Sequence, residues 1–363
     1  MDELLNTPID TWFKWPKLKT PVWPEGTTPD LHLEKYREFK ICEPKKRIGI
    51  EVEVEGITRM PVIDKQIWFT KADGSLRNHG VEFITAPVAG LQIIYAIDNL
   101  YSNLPTTADF SERTSIHVHV NVREQTVGQI LTLLMLYTVF EQLLFEFAGP
   151  QRRNNIFCVA VQETRYPYLI TNFLRDKSFG DLIMGWKKYS GLNLGIIRGL
   201  GTIEYRIMEG HNDPVRLLNW INILLRMHQY VRTTSFNEAY EAIRTLNTTS
   251  MYEQFIRNVF KSDAENLIKH GYNLQQMLEV GVSSAKAFAL PSEFLKTLTS
   301  NISTESTLLK KLNVLEYPIA KKSVKEMQIN NNIILNRLIT VYQTELTTTW
   351  ARQGDDVEEP HAF

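Results

Sequence analysis

Glu51, Glu53 and Glu55 occupy alternate positions in Ile48-Gly49-Ile50-Glu51-Val52-Glu53-Val54-Glu55-Gly56. An extended chain puts these carboxylates on one face and apolar side chains on the other. The intervening residues are largely β-branched and Gly56 follows, so the segment is expected to be a strand. Adjacent same-face carboxylates would stand roughly 6 to 7 Å apart at the backbone. Like charges that close repel unless cations or arginines lie among them. A solvent-facing acidic strand would explain this one segment on its own.

The pattern recurs. Ser115-Ile116-His117-Val118-His119-Val120-Asn121-Val122 places His117, His119 and Asn121 opposite Ile and Val, and Thr202-Ile203-Glu204-Tyr205-Arg206-Ile207-Met208 does the same with Glu204 and Arg206. Gly80-Val81-Glu82-Phe83-Ile84-Thr85 carries Glu82 between apolar neighbours. Four such strands predict an α+β fold, with a largely antiparallel sheet backed by helices and a polar cleft in front.

Glu51, Glu53, Glu82 and Glu204 are hard oxygen ligands of the kind Mg²⁺ prefers, and His119 could complete a site or bond a phosphate. Arg152, Arg153 and Arg206 carry guanidinium forks suited to phosphate oxygens. Each has a plainer explanation when taken singly. Glu82 or Glu204 could serve a structural ion pair. One of His117 and His119 should support the fold, and His119 is central in the alternation. Arg152 and Arg153 could form a solvated corner after Gly149-Pro150. Glu55 is expected to be the outermost carboxylate and the poorest ligand. Cys158, between Phe157 and Val159, reads as a small buried hydrophobe rather than a nucleophile. The chain has no GxxxxGK[ST], GxGxxG, HExxH, GxSxG or HxE…CxxC motif, so phosphate-loop, dinucleotide-binding and zinc-hydrolase readings lack support.

With 40 basic and 41 acidic residues among 363, a net charge of −1 carries no signature of nucleic-acid binding. Two cysteines without a CxxC pair argue against a disulfide framework and suit a reducing, cytoplasmic setting. Met1-Asp2-Glu3-Leu4-Leu5 does not resemble a secretory signal. The apolar run Ile130 to Phe140 is short for a bilayer and reads as a buried core helix, so no membrane partner is expected.

Residues 1–44, with six prolines and three tryptophans, are expected to form an irregular arm that docks on the body or on a neighbouring subunit in a homo-oligomer. Residues 45–212 form the strand-rich core, with strands near 48–55, 66–71, 80–85, 115–122, 188–196 and 202–208 and helices over 89–101 and 126–148. The second helix is expected to be amphipathic, and Arg198-Gly199-Leu200-Gly201 a hairpin turn. Residues 213–350 are expected to be helical, over 214–232, 236–246, 250–259, 262–269, 273–279, 291–300 and 320–346. An acidic tail fills 351–363.

Taken in order, Gly49-Ile50-Glu51-Val52-Glu53, Asp73-Gly74-Ser75-Leu76 with Glu82-Phe83-Ile84-Thr85-Ala86-Pro87, His117-Val118-His119-Val120-Asn121-Val122, Arg153-Asn154-Asn155, Lys188-Tyr189-Ser190-Gly191-Leu192-Asn193 and Thr202-Ile203-Glu204-Tyr205-Arg206 resemble the putative amidoligase family. That family is grouped with the carboxylate-amine ligases sharing the catalytic fold of glutamine synthetase and glutamate-cysteine ligase. The resemblance covers residues 47 to about 212. It implies a curved sheet that binds ATP with two or three Mg²⁺ held by Glu51, Glu53, Glu82 and Glu204. His119 would lie beside metal and phosphates, and Arg206 with Arg152 or Arg153 would neutralise the transferred phosphoryl group. Asn193 and Lys188 would contact substrate or nucleotide. The implied reaction joins a small-molecule or peptide carboxylate to an amine through an acyl phosphate, with Glu55 or Asp73 taking the amine's proton. The family occurs in phages and bacteria, which implies a cytoplasmic protein, in the host if phage-encoded. Two alternatives remain open: a guanidino-kinase-like phosphotransferase of the same fold, and a non-catalytic assembly protein derived from a ligase.

Overall fold

A computed structural model of the protein describes residues 2–19, 36 and 38–289. Trp23, the expected helices over 291–300 and 320–346, and the tail 351–363 lie outside the described residues. The strands are β1 (Ile48–Val54), β2 (Trp68–Lys71), β3 (Val81–Thr85), β4 (Ser115–Asn121), β5 (Leu192–Asn193) and β6 (Thr202–Glu209). They form one antiparallel sheet in the order β2-β3-β1-β4-β6-β5. The helices are α1 (Asp2–Leu5), α2 (Leu91–Tyr101), α3 (Val127–Ala148), α4 (Tyr166–Asp176), α5 (Phe179–Met184), α6 (Ile197–Leu200), α7 (Pro214–Thr233), α8 (Phe236–Arg244), α9 (Thr249–Phe260), α10 (Ala264–Ile268) and α11 (Leu274–Ala285).

The alternation fixes which face is covered. Ile50, Val52, Val54, Val118, Val120, Ile203 and Tyr205 are fully buried on the helical side. Trp68 Nε1 donates to Ala96 O of α2 at 3.0 Å, and the Tyr205 hydroxyl lies 2.9 Å from His228 Nε2 of α7. β6 departs from strict alternation: Val118 faces Tyr205 while Ile116 faces Met208, so β6 carries one extra residue there. This bulge returns Met208 to the apolar side.

Two expectations fail locally. The strand over 188–196 shortens to Leu192–Asn193 because the chain before it turns. Ser190 Oγ donates to the Lys187 and Leu192 carbonyls, and Trp186 Nε1 reaches the Leu192 carbonyl at 2.7 Å. The hairpin turn expected at 198–201 is instead the helical turn α6, closed by Gly201 at φ 66°.

α3 begins in a capping box, with Thr126 Oγ1 accepting from Gln129 N and Gln129 Oε1 accepting from Thr126 N. It is not the amphipathic helix expected. Nearly every residue from Val127 to Ala148 is buried, because α7, α8, α10 and α11 cover the sides the sheet does not. By length and composition α3 could cross a membrane, but most of its apolar stretch is buried within the protein, which suits the core helix of a soluble protein. Phe140 stacks on Tyr252 and Phe255 at 5.8 and 5.4 Å, and Phe147 on Trp220 at 5.9 Å. The helices after Asp213 thereby join the same apolar core as the sheet. The described part of the arm lies on this body: Trp15 Nε1 donates to Ile197 O at 2.7 Å, and Trp12 meets Phe179 edge-on.

Candidate functional site

The polar face of β1, β3, β4 and β6 carries a continuous row of acids and bases. Register decides who meets whom: Glu51 lies opposite His117, His119 opposite Glu204, and Glu53 opposite Glu82. Glu51 uses both oxygens, with Oε2 2.9 Å from His117 Nδ1 and Oε1 3.1 Å from His119 Nε2. Glu204 Oε1 takes the Arg206 guanidinium and lies 3.5 Å from His117, while its Oε2 accepts from Asn193 Nδ2 at 2.7 Å. Ser115 donates to Glu53 through backbone N and Oγ at 2.8 and 2.7 Å, and its hydroxyl contacts His117 Nε2.

Donor atoms gather into three overlapping groups. Glu51, His119 and Glu204 form one, Glu51, Glu82 and His117 a second, and Glu53, Asp73 and Glu82 a third, with the donor atoms of each within 4.8 Å of one another. Glu51 and Glu82 are each shared between two groups. All four expected acidic ligands are thus brought together with His119. His117 and Asp73 join them, although the sequence singled out His119 rather than His117 and offered Asp73 only as a proton acceptor.

The electrostatics follow from this crowding. Burial works against charge on Glu51, yet His119 and His117 hold its carboxyl well below the usual carboxylate range. Glu204 is likewise held low against its burial, by Arg206 first and then by the histidines. Burial opposes the charged form of His119 as well, and Glu51 beside it more than compensates, raising it. For Glu82 the balance goes the other way: burial, then Glu51 and Glu53, push it up to about 8 against the opposing charge of Lys71 across the β2-β3 pair.

The remaining candidates separate. Arg206 is 8% exposed, with Nε on Phe157 O at 3.2 Å and Tyr189 beneath its guanidinium. Arg152 is buried behind it, donating Nη2 to Arg206 O at 3.2 Å. Arg153 turns the other way, to Glu146 at 3.0 Å and Gln142 O, so the doubled arginine resolves into one residue beside the row and one on α3. Lys188 is exposed, with Nζ 5.9 Å from the Tyr189 ring centre. Glu55 is not an outer carboxylate. It is 2% exposed and accepts from Arg77 N at 2.6 Å, which commits it to holding the loop before β3. Cys158 is fully buried with its thiol pushed up by that burial, in keeping with a structural role.

Sequence reasoning missed Glu141. Buried in α3, it accepts Val161 N at 2.6 Å and Gln162 N at 2.9 Å, anchoring the loop whose Phe157 carbonyl orients Arg206. An acid set between the apolar runs 130–140 and 143–145 of α3 was the available signal.

Residues 61–228 match the family model described as a putative amidoligase enzyme, in agreement with the resemblance carried by the motifs. The matched span contains Glu82, His117, His119, Arg152, Arg153, Lys188, Asn193, Glu204 and Arg206. Glu51 and Glu53 precede it, and the β-sheet register is what joins them to the rest. No curated protein matches the chain. The family description points to a ligase-type enzyme.

Proposed function

We propose, from the family match over residues 61–228 and the acid-base row it shares with β1, that this protein is an ATP- and divalent-metal-dependent carboxylate-amine ligase. The observation that carries the reading is the overlap of the three donor groups through Glu51 and Glu82. An array of shared, buried and half-buried carboxylates with only oxygen and imidazole donors fits Mg²⁺ or Mn²⁺. Glu51, Glu53, Glu82, Glu204 and His119 would hold such cations, which would supply charge neutralisation to a polyphosphate at this face.

The chain's own residues supply orientation. Glu204 and the Phe157 carbonyl fix two nitrogens of Arg206, leaving Nη2 without a hydrogen bond among the described residues and pre-aimed for a phosphoryl oxygen. Asn193 holds the second oxygen of Glu204, so that carboxylate cannot swing away with its arginine. In the proposed reaction a substrate carboxylate oxygen bonds to the γ-phosphorus as ADP leaves. An amine nitrogen then bonds to the acyl carbon, loses a proton, and expels phosphate. Asp73 is better placed than Glu55 to take that proton, because it is half-buried beside Glu53 and Glu82 while Glu55 is enclosed.

Hydroxylamine, standing in for the amine, tests this with ATP, Mg²⁺ and a panel of amino-acid and peptide carboxylates. The ligase reading expects hydroxamate with one free phosphate released for each. A phosphorylated acceptor without free phosphate would identify a phosphotransferase instead, and no ATP turnover across the panel would favour a non-catalytic protein.

A further inference from the structure

Between the turn before α4 and the turn after α5 lies a cavity of about 240 Å³ that the proposed reaction does not use. Trp186 forms its floor, 7% exposed and fixed by bonds from Nε1 to Ser190 Oγ at 2.9 Å and Leu192 O at 2.7 Å. Tyr168 and Met184 stand on its rim, 61% and 60% exposed. Arg165 and Lys187 complete the rim, both exposed, and no acidic residue lines the cavity. Neither cation makes an ion pair or side-chain hydrogen bond with a described residue, whereas the arginines of the exposed helices α8 and α9 do.

Size and chemistry constrain the occupant. Small-molecule and cofactor sites enclose about 300 to 1,000 Å³, so this cavity suits a single side chain rather than a whole cofactor. Exposed apolar side chains over an indole floor suit an apolar or aromatic side chain. Two cations without acidic partners suit carboxylates on either side of it. Single-stranded nucleic acid would instead need a basic groove that follows several phosphates. The net charge of −1 means that this local excess is not a reflection of a basic protein.

The cavity also adjoins the acid-base row. Ser190 lines it, the neighbouring Tyr189 ring lies 5.8 Å from Arg206 Cζ, and Asn193 donates to Glu204. Three residues of extended chain span at most about 11 Å. Ser190 in the cavity wall therefore lies within about 11 Å of Asn193 at the edge of the row, a span that a few residues of extended peptide cover.

We propose that this cavity binds an acidic polypeptide segment, seating an apolar side chain on Trp186 and flanking carboxylates on Arg165 and Lys187, and so holds a peptide substrate beside the carboxylate row. The binding stands on the cavity alone; that the bound peptide is a substrate rests on the ligase reading.

Fluorescence polarisation without ATP or metal tests the binding, using fluorescein-labelled Gly-Glu-Phe-Glu-Asp-Gly and its uncharged counterpart Gly-Gln-Phe-Gln-Asn-Gly. The acidic peptide should bind about tenfold or more tightly than the uncharged one, and the Arg165→Glu/Lys187→Glu double variant should lose that preference and instead take up Gly-Lys-Phe-Lys-Lys-Gly. Both replaced residues are exposed, so an unchanged melting temperature certifies the fold. Equal binding of the acidic and uncharged peptides, unaltered binding by the double variant, or no binding of either peptide would overturn the proposal. So would tighter binding of labelled oligouridylate that is lost in the double variant. Stabilisation by ATP with Mg²⁺, measured on the same proteins, separates the two claims. Its absence from the wild type removes the ligase reading and leaves peptide binding standing, whereas its persistence without peptide binding removes only this proposal.

Discussion

Arg206 is aimed by its neighbours as much as by its strand. Glu204 lies two residues before it on the same face, Phe157 supplies a carbonyl to Nε, and Arg152 holds its backbone from behind. In the proposed reaction this fork meets charge that develops only as the phosphoryl group transfers. Arg206→Lys keeps the charge and can keep the Glu204 pair, but it loses the planar fork. Turnover should fall by about two orders of magnitude, on the order of 3 kcal/mol, with far less change in ATP affinity. ATP-dependent phosphate release near the wild-type rate, with the cost appearing in melting temperature instead, would reduce Arg206 to a sheet-holding ion pair. The row itself was legible because period-two alternation sorts Glu51, Glu53, Glu82, His119, Glu204 and Arg206 onto one face with no knowledge of pairing. Alternation does not contain register, so it could not show that His117 bridges Glu51 and Glu204, nor that Glu55 turns to Arg77 N. It was also silent on which of Arg152 and Arg153 packs behind Arg206, since both follow a helix end whose 3₁₀ turn sets their directions.

At the scale of elements, α3 and α11 show how closely the helical layer is packed. Gly281 of α11 crosses α3 where an added Cβ would stand 2.4 Å from Val139 O, with the Val139 carbonyl carbon and Cα also at 3.1 Å. These are backbone atoms, so the helices would have to part. Two effects compete in Gly281→Ala: better helix propensity, worth about 1 kcal/mol, and overpacking, which costs typically about 1 to 3 kcal/mol. Contact with backbone decides for the second, so the variant should unfold at lower urea concentration with an unchanged slope. Equal or greater resistance to urea would mean that the two helices have room to adjust. The same element shows what a sequence conceals. The apolar run marked a buried helix correctly, but whether such a helix is covered on one side or all round depends on α7, α8, α10 and α11, which come from distant sequence. The strand expected over 188–196 failed for a local reason, because the Ser190 and Trp186 side chains capture the carbonyls that a longer strand would pair.

For the molecule as a whole, a net charge of −1 hides a strong segregation. Glu51, Glu53, Asp73, Glu82 and Glu204 converge on one face with two histidines and Arg206 to offset them, and Glu82 is left carrying the excess, pushed up to about 8. Such a face should repel a bare polyphosphate and accept one that arrives with divalent cations. The most direct measurement is therefore the melting temperature with ATP and Mg²⁺ against ATP in excess chelator. A ligand at 100 times its Kd stabilises by about 2.7 kcal/mol, which for a domain of this size raises Tm by several degrees. The proposed function predicts that rise with Mg²⁺, little or none with chelator, and loss of the metal dependence in Glu51→Gln. Equal stabilisation by ATP in the presence of chelator, or no stabilisation with Mg²⁺, would contradict the metal-bridged site.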